Sequence, residues 1–93
     1  MENRLVRSGD IISRRIGNET VAIKDNGLAT LVLNKTAAYI WELCDGTRGA
    51  SAITGKICER FEVGTAEADA DVRATIDRLL EIGLINQLEV KKT

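Results

Sequence analysis

The side chains of this sequence that could form a metal site or an acid–base pair are its thiols and carboxylates. The 93 residues include no histidine. The two cysteines, Cys44 and Cys58, have no CxxC spacing that would favour a zinc site. The commonest general base is missing, and no paired carboxylates, phosphate loop or nucleophile motif replaces it. We therefore expect no catalysis, no cofactor and no metal, and we expect both cysteines to be buried free thiols.

Charged side chains at helical spacing form the other candidate site. Asp69, Arg73 and Asp77 are spaced by four residues, so they share one face of a helix. Such a face can present an arginine between two carboxylates to a partner. It can equally be a solvated surface.

The elements that must position these residues fit one domain over residues 1–93. Its core would span about residues 10–86, followed by a charged tail at residues 89–93. Hydrophobic residues at 44%, charged residues at 29% and the absence of proline are typical of a globular domain. No apolar run approaches the roughly 18 residues that a membrane span requires, and the start lacks a secretory signal. We expect a cytoplasmic protein.

Three short runs of β-branched and aliphatic residues predict a three-stranded antiparallel meander. The strands would cover Ile11–Ile16, residues 20–24 and residues 28–33. The Asn-Gly pair at residues 26–27 is a strong hairpin signal, because a type I′ turn requires positive φ at both central positions. The Gly-Asn pair at residues 17–18 is compatible with the other primed turn.

After residue 33 the apolar period changes from two to nearly four, which predicts a helix within residues 33–46. Asn34 or Thr36 can cap its start, and Asp45-Gly46 supplies its stop, with the glycine in the left-handed conformation. The apolar face would carry Ala37, Ile40, Trp41 and Cys44. We expect the indole to be a core side chain.

Two further helices are predicted at residues 51–61 and Thr65–Ile82. Ser51 or Thr47 is the expected cap of the former, and Gly83 closes the latter. Their apolar stripes would be Ile53, Ile57, Cys58 and Phe61, and then Ala68, Val72, Ile76, Leu79 and Leu80. A short extended piece follows at residues 84–86. We therefore predict an α+β, winged-helix-like fold class, a three-stranded antiparallel meander followed by three α-helices.

The segment LNKTAAYIWELCDG at residues 33–46 begins a pattern that resembles the PqqD-like family. The pattern continues through a second helix that ends in Arg60-Phe61 and closes with LLEIGLI at residues 79–85. In all, the resemblance runs from about residue 31 to residue 85. Members of this family are recognition elements for the precursors of ribosomally made, post-translationally modified peptides.

The resemblance implies a non-catalytic adaptor that captures the leader of a precursor peptide and presents it to a modifying enzyme, often a radical S-adenosylmethionine enzyme. The leader would add as a strand to the third strand and lie against the third helix. The candidate residues are Leu28, Ala29, Thr30, Leu31, Val32 and Leu33 on the strand, with Asp69, Arg73, Ile76, Asp77 and Leu80 on the helix. Synthesis of pyrroloquinoline quinone, a lasso-peptide pathway and other peptide pathways all fit the pattern.

The third strand also favours a partner on physical grounds. Residues 28–33 contain no charge and no proline that would blunt an exposed sheet edge. A peptide could pair with this edge, but so could a second copy, or a segment of the same chain could cover it. A structural dimerisation module is therefore one alternative.

A winged-helix DNA-binding regulator is the other alternative. Duplex binding depends on cations that neutralise phosphates, yet the net charge is −1 and the pI is near 5.4. The would-be recognition helix, Thr65–Ile82, is acidic. It carries Glu67, Asp69, Asp71, Asp77 and Glu81 against Arg73 and Arg78. The sequence thus disfavours nucleic acid, although Arg4, Arg7, Arg14 and Arg15 gather near the first strand.

Overall fold

A computed structural model describes residues 3–24 and 29–89. The strands are β1 (Arg4–Arg7), β2 (Ile11–Ile16), β3 (Glu19–Lys24), β4 (Ala29–Leu33), β5 (Asp45–Arg48) and β6 (Ile85–Leu88). The helices are α1 (Lys35–Leu43), α2 (Ala50–Phe61) and α3 (Thr65–Ile82). The predicted α+β, winged-helix-like arrangement is confirmed. Within the described part of the chain, no helix is both long and apolar enough to cross a membrane.

The meander consists of β2, β3 and β4, paired antiparallel in that order. Ile16 pairs with Glu19, so two residues join the first two strands. Gly17 has φ +62°, the positive value that a type II′ turn requires at its first central position. The predicted turn at residues 26–27 and the predicted strand residue Leu28 lie outside the described residues.

A second sheet, in the order β5-β1-β6, was not predicted. The strands β1 and β6 are antiparallel, with Arg4 opposite Leu88 and Arg7 opposite Ile85. Leu5 is 3% exposed and belongs to the hydrophobic core, five residues before the start predicted from the sequence. The first strand therefore ties the start of the described chain to the helical layer.

The predicted start of α1 is correct, but its predicted stop is wrong. Asn34 caps the helix, and its Oδ1 accepts a hydrogen bond from the Ala37 amide at 2.8 Å. The helix ends at Leu43, and the Cys44 amide closes the last turn by donating to the Trp41 carbonyl. Gly46 has φ +90° but lies within β5, where the pairing with β1 shifts register. Its left-handed conformation serves this irregular strand pairing.

The end of α3 was predicted correctly, whereas the cap of α2 was not. Gly49 occupies the N-cap of α2 without a side-chain hydrogen bond, while Thr47 lies in β5 and Ser51 inside the helix. The helix α3 has the predicted bounds. Gly83 ends it at φ +88°, with its amide directed at the carbonyls of the last turn.

Trp41 is a core residue, as predicted. Its side chain is 8% exposed, and its Nε1–H donates to the Leu84 carbonyl at 3.3 Å. Both cysteines are free thiols, as expected, and Cys44 is fully buried. Cys58 is only half-buried, so the prediction that both thiols are buried is wrong for this one. Burial raises the pKa of the Cys44 thiol to about 11. At neutral pH this thiol is therefore protonated and shielded.

Candidate functional site

The candidate site is a groove between β4 and α3, closed at one end by the start of α1. Within the described residues β4 is the last strand of its sheet, so its outer edge has no strand partner. The groove has a volume of about 190 Å³. Its lining consists of Leu31, Val32, Leu33, Asn34, Ala37, Thr75, Arg78 and Leu79. It therefore combines unpaired main-chain groups with walls that are both apolar and polar.

The strand side of the groove follows from the two-residue period of β4. Leu33 is 2% exposed and Leu31 is half-buried, so these side chains anchor the strand to the helical layer. Val32, between them, is 55% exposed. The strand is thus fixed from one face and open along its edge.

The helix side of the groove follows from the buried stripe of α3. Ala68, Val72 and Leu79 are buried and fix the rotation of the helix. Because successive residues advance by about 100°, Thr75 and Arg78 fall on the flank of the stripe that faces β4. The same flank continues into a neighbouring depression of about 390 Å³, which is lined by Asn34, Thr36, Ala37, Asp71, Ala74 and Thr75.

The predicted strand residues divide into three groups. Leu31, Val32 and Leu33 line the groove. Ala29 and Thr30 belong to the same strand, and the side chain of Thr30 is exposed. Leu28 lies outside the described residues.

The predicted helix residues lie on the other flank of α3. Arg73, Ile76, Asp77 and Leu80 line a separate pocket of about 400 Å³, together with Asn3, Leu5, Ala50 and Gln87. Asp69 pairs with Arg73 at 3.0 Å and accepts a hydrogen bond from the Thr54 hydroxyl at 3.2 Å. The structure therefore does not bring these five residues to the edge of β4.

Sequence reasoning missed the groove-facing residues of α1 and α3. The apolar stripe of α3 could be read from its period, but it has a polar flank on each side. Arg73 and Arg78 lie about 140° apart around the helix. The flank that meets β4 depends on how the helix crosses the sheet, which the sequence pattern does not contain.

Arg78 gives the groove its charge. It is the one charged side chain among the described residues that line the groove beside β4, and it is exposed. A guanidinium in this place can pair with a carboxylate that enters the groove. The arrangement suits an extended peptide that combines apolar side chains with an acidic one.

Comparison with known proteins bears on this arrangement. The family described as Coenzyme PQQ synthesis protein D (PqqD) matches residues 19–85. The chain belongs to the PqqD family. No curated protein matches the sequence of this PqqD-family chain.

Two solved structures share the fold. The structure titled "TbiB1 in Complex with the TbiA(beta) Leader Peptide" is 22% identical with a TM-score of 0.73, and the match covers 87% of this chain and 94% of the other. The structure titled "Lasso peptide synthetase B1 complexed with the leader peptide" is 19% identical with a TM-score of 0.74, and the match covers 89% and 98% of the two chains. At these identities the likeness establishes that this PqqD-family chain has the same fold.

Proposed function

We propose that this PqqD-family chain captures the leader segment of a ribosomally made precursor peptide and presents it to a modifying enzyme. The observation that carries the proposal is the unpartnered edge of β4 beside the groove with α3. Family membership supports it, as does the shared fold with two proteins whose titles name bound leader peptides.

In this proposal the leader binds as an additional strand on β4. Four or five main-chain hydrogen bonds contribute about 0.5 to 1.5 kcal/mol each. Ordering a disordered leader offsets about 2 to 5 kcal/mol of that gain. The side-chain groove must therefore supply the remaining affinity and the selectivity, as in strand addition generally. Ala37 and Thr75 would receive apolar leader side chains, and Arg78 would pair with an acidic one.

The domain itself performs no reaction in this proposal. The groove presents main-chain groups, aliphatic side chains, hydroxyl and amide groups and one guanidinium, a set suited to holding a peptide. The reaction belongs to the partner, a radical S-adenosylmethionine enzyme in the cytoplasm. Without a leader, a second copy can pair with the same edge of β4, and dilution would separate such a homodimer.

Amide chemical shifts of the isotope-labelled domain test the proposal. The probe is the leader half of the precursor peptide encoded nearest to this chain, and the control is a peptide of the same composition in scrambled order. Saturable shifts at residues 31–33, Thr75 and Arg78 with the native order alone would support leader capture on β4. Shifts centred on Arg73 and Asp77 would move the site to the other flank of α3. No shifts with either peptide would contradict leader capture.

A further inference from the structure

A second cleft lies between the β2–β3 hairpin, α1 and the end of α2. Its volume is about 390 Å³, and it shares no lining residue with the groove beside β4. The one Trp, one Tyr and one Phe of the sequence, Trp41, Tyr39 and Phe61, all line it. All three aromatic side chains of the sequence therefore lie at one surface depression. Aromatic residues are enriched at the centres of protein interfaces.

The aromatic side chains form one packed group. The rings of Tyr39 and Phe61 meet edge to face, with centroids 5.9 Å apart and an interplanar angle of 75°. The Arg60 guanidinium lies over the Tyr39 ring, 5.2 Å from its centroid. Both rings are half-buried, so each still presents part of its surface to a partner.

The cleft is also positively charged. Arg15, Lys35 and Arg60 line it against a single carboxylate, Glu42. Within residues 3–24 and 29–89, none of these three cations forms an ion pair. The whole chain has a net charge of −1, so this local excess of positive charge runs against the overall balance. Unpaired cations around an apolar centre are complementary to carboxylates that flank an apolar side chain.

We infer that this cleft docks an acidic segment of the peptide-modifying enzyme, in which carboxylates flank an apolar side chain. This inference rests on the proposed function, since it supplies the second partner that an adaptor requires. The apolar side chain packs against Tyr39 and Phe61, and the carboxylates pair with Arg15, Lys35 and Arg60. Because the cleft is separate from the groove beside β4, enzyme and leader bind at the same time.

Two adjacent arginines of β2 provide a matched pair of variants. Ser13 pairs with the wholly buried Ala22, so Ser13 and Arg15 lie on the face of β2 that meets the helices. Arg14 therefore lies on the opposite face. Both arginine side chains are exposed, and Arg15→Gln and Arg14→Gln make the same change in charge. They differ in whether the lost charge lined the cleft.

The probe is the acidic peptide acetyl-Glu-Glu-Leu-Glu-Glu-amide, and its control is the peptide with glutamine in place of each glutamate. Trp41 is the one tryptophan and lines the cleft, so its fluorescence reports on binding there. We expect a saturable change in emission with the acidic peptide and none with the control. We expect Arg15→Gln to weaken binding at least threefold and Arg14→Gln to leave it unchanged.

Three outcomes would overturn the cleft assignment. They are no change in emission, equal weakening by the two variants, and acidic-peptide shifts in the amides of residues 31–33 instead of a change at Trp41. The leader titration remains an independent test, because its signal comes from residues 31–33. If Arg15→Gln binds leader normally, leader capture stands whatever the acidic peptide does.

Discussion

Trp41, in α1, links this helix to the segment that follows α3. Its indole is nearly buried and donates a hydrogen bond to the Leu84 carbonyl. We predict that Trp41→Ala lowers the free energy of unfolding by about 3 to 5 kcal/mol, because a large core side chain is lost. Urea unfolding followed by far-ultraviolet circular dichroism measures this change.

The same variant separates a core role from a contact role for Trp41. Leader binding should fall only by the fraction of unfolded protein, and Trp41→Phe should be less destabilising because it retains a ring in the core. Unchanged stability together with lost binding would make the indole a contact for the leader instead.

Cys44 gives the stability a dependence on alkaline pH. Its pKa is raised from 9.0 to about 11, chiefly by burial, while nearby Arg7 acts in the opposite direction. Between these two values the folded chain binds more protons than the unfolded chain, so stability falls as pH rises. The expected loss is about 1.4 kcal/mol by pH 10. Urea unfolding at pH 8, 9 and 10 measures it.

The alanine variants of the two cysteines isolate this contribution. Cys44→Ala should abolish the part of the alkaline loss of stability that comes from this thiol. The difference in unfolding free energy between the parent and Cys44→Ala should therefore narrow as pH rises. Cys58→Ala should retain the full alkaline loss. A parallel pH dependence in the parent and Cys44→Ala would contradict the assignment to this thiol.

At the scale of the elements, two glycines contrast the end of a helix with its interior. Gly83 closes α3 at φ +88°, and a Cβ there would approach the Lys24 Nζ at 2.6 Å. Gly55 lies exposed inside α2, and a Cβ at this position would have open space around it. We predict that Gly83→Ala destabilises the domain by about 1 kcal/mol or more, whereas Gly55→Ala stabilises it by about 0.5 to 1 kcal/mol. Thermal unfolding of both variants decides whether the signs are opposite.

Two arginines of α3 decide which flank of the helix meets the leader. Arg78 lines the groove beside β4, whereas Arg73 lines the pocket on the other flank. We predict that Arg78→Gln weakens leader binding about fivefold, the loss of about 1 kcal/mol for an exposed ion pair. Arg73→Gln should leave the affinity unchanged. Isothermal titration calorimetry with the leader peptide measures both, and the reverse ranking would favour the flank expected from the sequence.

The elements that were predicted are those with strong local signals. The bounds of α3 were correct because its stripe is long and Gly83 ends it. The strands β1 and β5 were missed because each has only four residues, and β6 was predicted only as a short extended piece at residues 84–86. The strand β1 pairs with residues about 80 positions away. Such distant pairing leaves no local pattern in the sequence. Three of the six strand candidates, residues 31–33, line the groove, because the aliphatic run that predicts β4 is local in the sequence. The helix candidates lie on the other flank of α3, because the packing of α3 on the sheet leaves no local pattern.

At the scale of the whole molecule, the end of α3 joins the two sheets. The Gly83 carbonyl accepts hydrogen bonds from the Ser8 hydroxyl at 2.7 Å and from the Lys24 Nζ at 3.1 Å. Ser8 follows β1 in one sheet, and Lys24 ends β3 in the other. This one carbonyl therefore links the turn after α3 to both sheets.

The pairing of β1 with β6 predicts that the chain tolerates circular permutation. Arg4 lies opposite Leu88, so residues 89–93 and 1–3 are long enough to connect the two strands as a loop. We predict that a chain in which residue 93 is joined to residue 1, and which is opened between Gly17 and Asn18, keeps the fold. Its circular dichroism spectrum and leader affinity should match the parent's. A permutant that does not fold would contradict this view of the β1–β6 pair.

The neighbouring positions of Arg4 and Leu88 have a consequence for evolution. A domain whose chain enters and leaves at one place can be spliced into a surface loop of a larger protein without forcing the two ends of that loop apart. Gene fusion or insertion could thus place a domain of this fold inside a larger peptide-modifying enzyme. The strand edge of β4 would remain open throughout, since it belongs to the other sheet.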